Sequence, residues 1–167
     1  MASQLRVLAD AVARVQTMCQ YASEPALTSA EVTAIVKWNQ IASVWTPDTD
    51  FAAGDRICPD PPNGLMYKVS DPGTGVLGGT SGATAPARWP WRHNMRVQDG
   101  SVWWELVGPQ PPALWDLRAA ACECWLSKAG LAASYHEVAD DKMRAKRKEI
   151  FDNCNQMAGR YRSIRCA

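Results

Sequence analysis

Histidine is scarce in this chain: only His93 and His136 occur among 167 residues. Catalysis by a base-activated nucleophile needs such a group held beside a serine, cysteine or threonine. Ser81 in Gly79-Thr-Ser-Gly82 lacks the strand-to-helix setting of a nucleophile elbow. The glycine-rich run 73–82 is not followed by Gly-Lys-Ser/Thr, so it does not have the form of a phosphate loop and reads as a surface loop. The chain is therefore read as non-enzymatic, with no cofactor. A basic excess is also missing, since the net charge is +1, and a dedicated nucleic-acid binder normally carries one. No apolar run approaches the roughly 20 residues needed to cross a bilayer. The amphipathic start, with Asp10 inside it, does not resemble a secretory signal, so synthesis in a cytoplasm is expected. Six cysteines stand at 19, 58, 122, 124, 154 and 166 without a paired CxxC pattern. They read as buried or free thiols, and no metal site is expected.

Tryptophan, in contrast, is abundant. Four of the eight, Trp89, Trp91, Trp103 and Trp104, fall in "WPWRHNMRVQDGSVWWELVG", residues 89–108. Asp99–Gly100 within it is a strong hairpin signal. Large aromatics are an efficient way to remove apolar area from water in a small β unit, at about 150–250 Å² each. Trp103 and Trp104 are adjacent and must face opposite sides of a strand. All four are candidates for module core, with a ligand face on one or two of them as the other possibility; Trp104 is the one that strand alternation leaves in question, and Trp104 or Trp91 would carry glycan binding.

Three segments follow one another. Residues 3–44 read as two helices: Leu5, Leu8, Val12, Val15 and Cys19 form an apolar stripe, and Thr28-Ser-Ala-Glu31 has the form of a capping box. The second helix is expected to turn Val32, Ile35, Val36 and Ala42 inward and to stop before Trp45. Residues 45–112 hold most of the glycines and prolines. Short β-like runs stand there at Asp55–Cys58, Leu65–Val69, Met95–Gln98 and Ser101–Val107. From 113 to 167 the helical period returns. One helix carries Leu117, Ala121, Cys124 and Trp125 and is expected to stop at Gly130. A longer one has Met143, Ile150, Phe151, Cys154, Met157 and Tyr161 on one side and Lys142, Arg144, Lys146, Arg147 and Lys148 on the other. Ten basic and seven acidic residues fall in this last segment, which concentrates the positive charge there. The fold class expected is α+β: a four-helix bundle, 1–44 with 113–167, and a small all-β module, 45–112, inserted between helices 2 and 3.

Trp45-Thr-Pro47, Gly54-Asp55, Asn63-Gly-Leu-Met-Tyr67, Gly79-Thr-Ser-Gly82, Pro86-Ala-Arg-Trp-Pro90 and Val97-Gln-Asp-Gly-Ser-Val-Trp103 occur in this order, with Phe51 at an aromatic position. As a set they resemble a small carbohydrate-binding-like β module of tailed-bacteriophage structural proteins. The flanking segments, including Leu114–Ala129, Met143–Tyr161 and the Tyr161-Arg-Ser-Ile-Arg165 tail, are similar in organisation to head–tail connector (adaptor) proteins of the same phages. That resemblance implies a virion neck protein: a homo-oligomeric ring, usually of twelve subunits, between the portal and a tail-side neck or tail-completion protein, with DNA passing through without sequence-specific binding. It implies portal contact by Arg160, Tyr161, Arg162, Ile164 and Arg165. Lys142, Lys146 and Arg147 would face the channel or an acidic partner. The alternative is a glycan-binding module of a tail or decoration protein.

Overall fold

The computed structural model describes residues 6–71, 73, 75, 78–134 and 141–162, with the side chains of 141–144 outside the description. The chain is α+β, with four helices and a mixed five-stranded sheet among the described residues. In order the elements are α1 (Leu8–Cys19), α2 (Ser29–Trp38), β1 (Ser43–Val44), β2 (Asp50–Phe51), β3 (Arg56–Cys58), β4 (Leu65–Val69), β5 (Gly79–Thr80), β6 (Arg96–Asp99), β7 (Val102–Pro109), α3 (Leu117–Ser134) and α4 (Asp141–Tyr161). Close contacts divide the described residues into a β unit, 41–114, and a helical unit, 6–40 with the residues after 114.

The helical unit is built around α3. Ala119, Ala120, Ala121, Cys122, Cys124, Ala129 and Ala132 are all buried. Small side chains on several sides let other helices approach closely, and α3 packs against α1, α2 and α4, while α1 also packs on α2. The stripe of α1 buries Val12, Val15 and Cys19. The capping box forms at α2: the Thr28 hydroxyl accepts from the Glu31 amide at 3.2 Å, and a Glu31 carboxylate oxygen accepts from the Thr28 amide at 2.6 Å. These bonds hold the Glu31 carboxyl below its ordinary range.

Three helix expectations need correction. Helix α2 stops at Trp38, where Asn39 turns its own amide and its side chain back onto the Ile35 carbonyl, satisfying the helix end locally. Ala42 is buried, but in the β unit, where its amide and that of Ile41 reach the Leu114 carbonyl. Gly130 does not end α3. It is exposed inside the helix, and nothing lies where its Cβ would be, so the helix runs on with only the propensity cost of glycine, about 1 kcal/mol. Phe151 is not on the inner side of α4. The inward seam is Arg147, Ile150, Cys154, Met157, Ala158 and Tyr161, a 3–4 spacing that leaves Phe151 exposed.

Lys128 is fully buried in this unit. Its ammonium donates to the Gln20 carbonyl at 2.6 Å and to the Ser23 carbonyl and hydroxyl at 2.9 Å each, and it lies 5.0 Å from the Trp125 ring centroid. A cation at the carbonyl end of α1 is favourably placed. Burial nevertheless pushes its pKa down from the ordinary lysine range.

In the β unit the strand order is β1-β3-β4-β7-β6, with β1 parallel to β3 and every other pair antiparallel; β2 and β5 form a separate ribbon. The four expected β runs are strands within one or two residues at each end. The β6–β7 hairpin differs from expectation by one residue. Asp99 pairs with Val102, so Gly100–Ser101 form the turn, and Gly100 takes a φ of 63°. An alanine there would drive its Cβ into the Thr80 carbonyl oxygen. The core gathers Trp45, Phe51, Ile57, Tyr67, Val69, Val102, Trp104 and Leu106.

Because Gly130 has open space where a side chain would start, Gly130→Ala is expected to stabilise the chain by about 0.5–1 kcal/mol in urea unfolding. A destabilisation would show that the helix needs glycine there.

Candidate functional site

The tryptophan cluster and the basic helix are the two places where the sequence concentrates chemistry. In the cluster, the Asp99 carboxylate is the hub. It is 5% exposed, on the inner face of β6. One oxygen accepts from the indole N–H of Trp45 at 2.8 Å and of Trp104 at 3.0 Å. The other accepts from the Gly82 amide at 2.8 Å. A buried carboxylate is costly unless hydrogen-bonded, and three donors meet that requirement here. Glycine is needed at 82 because a Cβ would sit 2.8 Å from that second oxygen.

The preceding residues lock the same corner. Ser81 is buried; its hydroxyl donates to the Thr46 carbonyl at 2.7 Å and accepts from the Thr49 amide at 3.0 Å. The Ser101 amide donates to the Thr80 carbonyl at 2.9 Å. At Gly79 a Cβ would meet the Ser101 backbone. The end of the glycine-rich run is therefore a packed part of the fold, which corrects its reading as a surface loop throughout. Farther along the sheet, Asn63 donates its side-chain amide to the Tyr67 hydroxyl at 2.8 Å, and that hydroxyl donates to the Pro90 carbonyl at 3.0 Å. Burial pushes the Tyr67 phenol up from its ordinary value.

The four clustered tryptophans divide sharply. Trp104 is fully buried, with Phe51 edge-on at 5.0 Å. Trp89 is half-buried between Tyr67, at 4.7 Å, and Trp104, at 6.3 Å. Trp103 is half-buried on the opposite face of β7 from Trp104. Trp91 is 60% exposed, and the Arg92 guanidinium lies 3.9 Å over its ring. Of the four, Trp91 alone offers most of its surface to a ligand. Sequence reasoning missed Trp38, which is 86% exposed at the end of α2. The available signal was its position two residues past the buried Val36, about 200° around the helix from the inner stripe.

On α4, Lys146 and Lys148 are exposed and Arg147 is half-buried. They share the helix with Glu149 and Asp152, and an open concavity of about 730 Å³ lined by Lys146, Glu149, Ile150, Asp152, Asn153 and Gln156 is thus of mixed charge. Lys142 belongs to α4, but its side chain is outside the described residues. At the other end Arg160 and Arg162 are exposed and Tyr161 is half-buried; the Arg160 carbonyl accepts from the Arg118 guanidinium at 3.3 Å. Ile164 and Arg165 lie outside the described residues. Lys146 and Arg160 are roughly 21 Å apart along the helix, so the structure does not bring the two basic groups together.

Among the described residues no three His, Cys, Asp or Glu side chains are grouped to hold a metal ion, and no helix is long and apolar enough to cross a membrane. Cys19, Cys58, Cys122, Cys124 and Cys154 are buried and free of disulfides; His136 and Cys166 lie outside the described residues, and His93 is exposed.

Asp99→Asn replaces one acceptor oxygen by a donor facing indole or amide N–H groups. It is expected to cost at least about 3 kcal/mol in denaturant unfolding. Trp91→Ala is expected to change stability by no more than about 0.5 kcal/mol. Equal losses from Trp91→Ala and Trp104→Ala would contradict the division between core and surface indoles.

No protein-family model, curated protein or solved structure matches this chain.

Proposed function

We propose that this chain is a non-enzymatic structural protein of a tailed-phage neck: a four-helix adaptor carrying an inserted β module, assembled as a ring that joins the portal to the tail and extends the DNA channel. The observation that carries the reading is the discontinuity of the helical unit. The chain leaves it after Gln40 and re-enters at Trp115, and the two passing segments are tied by a Gln40–Trp115 bridge and by the Asp116 amide on the Asn39 carbonyl at 2.8 Å. That organisation suits a helical adaptor with a module hung from one loop. The motif set supports it too: its Trp45, Phe51 and Tyr67 lie in one core, and its Ser81, Gly82 and Asp99 are hydrogen-bonded beside them.

In this reading neighbouring subunits pack through exposed helix faces, in a ring usually of twelve. Lys146 and Arg147, with Lys142, face the channel or an acidic partner surface. Arg160, Tyr161 and Arg162, continuing to Ile164 and Arg165, engage the portal, and the far side of the ring meets a tail-side neck or tail-completion protein. DNA passes without base-specific contact. The protein is made in the host cytoplasm and resides in the virion neck. A second reading, glycan binding by a tail or decoration protein, is favoured by one observation, the exposed Trp91 ring with Arg92 upon it. Aromatic faces of this kind offer an apolar surface with a polar handle.

The test is sedimentation of the purified chain with purified portal rings. A ring-sized complex that withstands high salt is expected, weakened at least tenfold by Arg160→Glu combined with Arg162→Glu and unchanged by Trp91→Ala. A stable monomer that ignores portal rings would overturn the neck reading. Retention on host-derived glycans, lost in Trp91→Ala, would establish the second.

A further inference from the structure

We propose that copies of this chain associate through Trp38, the indole of one copy entering a hollow between the α1–α2 turn, α3 and α4 of the next. Such a contact would supply the ring of the neck reading, on which it does not depend. Trp38 is the last residue of α2, and its side chain is 86% exposed. It does not stand alone. Asn39, the next residue, donates its side-chain amide to the Glu123 carboxylate at 3.0 Å, which sets this end of α2 against α3. Leu126, three residues on along the same side of α3, is 49% exposed. One corner of the helical unit thus carries an apolar patch with an aromatic at its tip. Exposed patches of this kind mark interaction sites, and tryptophan is the residue type enriched among their anchors.

The receiving surface is on the same chain. Glu24, Pro25, Ala132, Arg147 and Ile150 line a hollow of about 250 Å³. Pro25 and Ala132 are buried, Ile150 is half-buried and Glu24 is exposed, so the floor is apolar and the rim charged. An apolar cavity of roughly 150 Å³ holds a benzene ring, and the larger volume here suits the two fused rings of an indole.

Trp38 cannot fill the hollow of its own copy. Pro25 precedes α2 and Trp38 ends it, and the helix between them rises roughly 15 Å, beyond the reach of one side chain. The separation repeats on α3, where the Trp38 end meets Glu123, nine residues before Ala132. An apolar knob and a matching hollow at different places on one surface make a head-to-tail contact between copies, which closes into a ring or runs on as a fibre. The charges agree with the pairing. Lys37, beside the indole, is exposed, and Glu24 on the rim offers it the opposite sign. Arg147, the other charged residue of the lining, suits the π face of an incoming ring.

The full chain is examined by sedimentation velocity over a rising concentration series, alone and with purified portal rings. Wild type is expected to pass from monomer to larger species. Trp38→Ala removes an exposed side chain, so it is expected to keep the monomer's melting temperature and to weaken association at least about tenfold. Lys37→Glu and Glu24→Lys are each expected to weaken it about threefold, and the chain carrying both exchanges is expected to recover. That recovery requires the two places to meet across copies, and misfolding of one variant cannot reproduce it. A wild type that stays monomeric at every concentration, equal association in wild type and Trp38→Ala, or a double exchange no better than either single one would each overturn the proposal. Loss of portal binding in Trp38→Ala with self-association intact would also overturn it, giving the indole to the portal instead. Assembly on portal rings that survives Trp38→Ala would overturn this contact and leave the neck reading standing.

Discussion

The Asp99 carboxylate takes hydrogen bonds from two indoles and a backbone amide at a place where water cannot replace them. Its partners come from distant parts of the β unit: Trp45 precedes the first long turn, Gly82 ends the glycine-rich run, and Trp104 lies in β7. One side chain thus fixes the entry, the middle and the last hairpin at once. The surrounding sequence obeys its demands. Gly82 leaves room for the oxygen, Gly100 lets the hairpin turn at the next residue, and Ser81 pins the segment between them to Thr46 and Thr49. The motif residues that look like a signature of ligand binding act first as the means by which a small unit of short strands satisfies one buried charge.

The helical unit contains a second buried charge held in a similar way. Lys128 gathers the carbonyls of Gln20 and Ser23 and so joins α3 to the end of α1 and the turn after it. Its desolvation works against the charge, and three acceptors with the Trp125 ring offset it. Around it α3 is lined with alanine and cysteine, small side chains that let the partner helices approach closely. In both units a charge that burial alone would exclude sets which segments must come together.

Periodicity made α1, the capping box of α2 and the four longer strands legible, because each is dictated by residues within a few positions of one another. The inward direction of Trp104 was legible only as one of two choices, since alternation cannot say which face is the core. The structure resolves that choice: Asp99 pairs with Val102, the turn falls at Gly100–Ser101, and the Trp104 indole donates to the buried Asp99 carboxylate. The short strands Ser43–Val44, Asp50–Phe51 and Gly79–Thr80 carry no period of their own and exist through partners far along the chain. Phe51 was matched as an aromatic without any indication that it would pack edge-on against Trp104. Lys128 gave no sign of burial, because a lysine in a helix normally reads as solvated. The exposed residues Trp38 and Trp91 are where local composition and packing disagree, and Trp91 is the one that keeps a glycan-binding role open.

The neck reading draws its strength from this arrangement: a helical unit closed by segments from both ends of the chain, and a β unit that supports itself from within. The most direct measurement is deuterium exchange of the tryptophan indole N–H groups, followed by nitrogen-correlated NMR under native conditions. If Asp99 is the hub of the β unit, the Trp45 and Trp104 signals exchange in step and as slowly as the most protected backbone amides of that unit, while Trp91 exchanges at once. Exchange of either Trp45 or Trp104 on the timescale of Trp91 would contradict it.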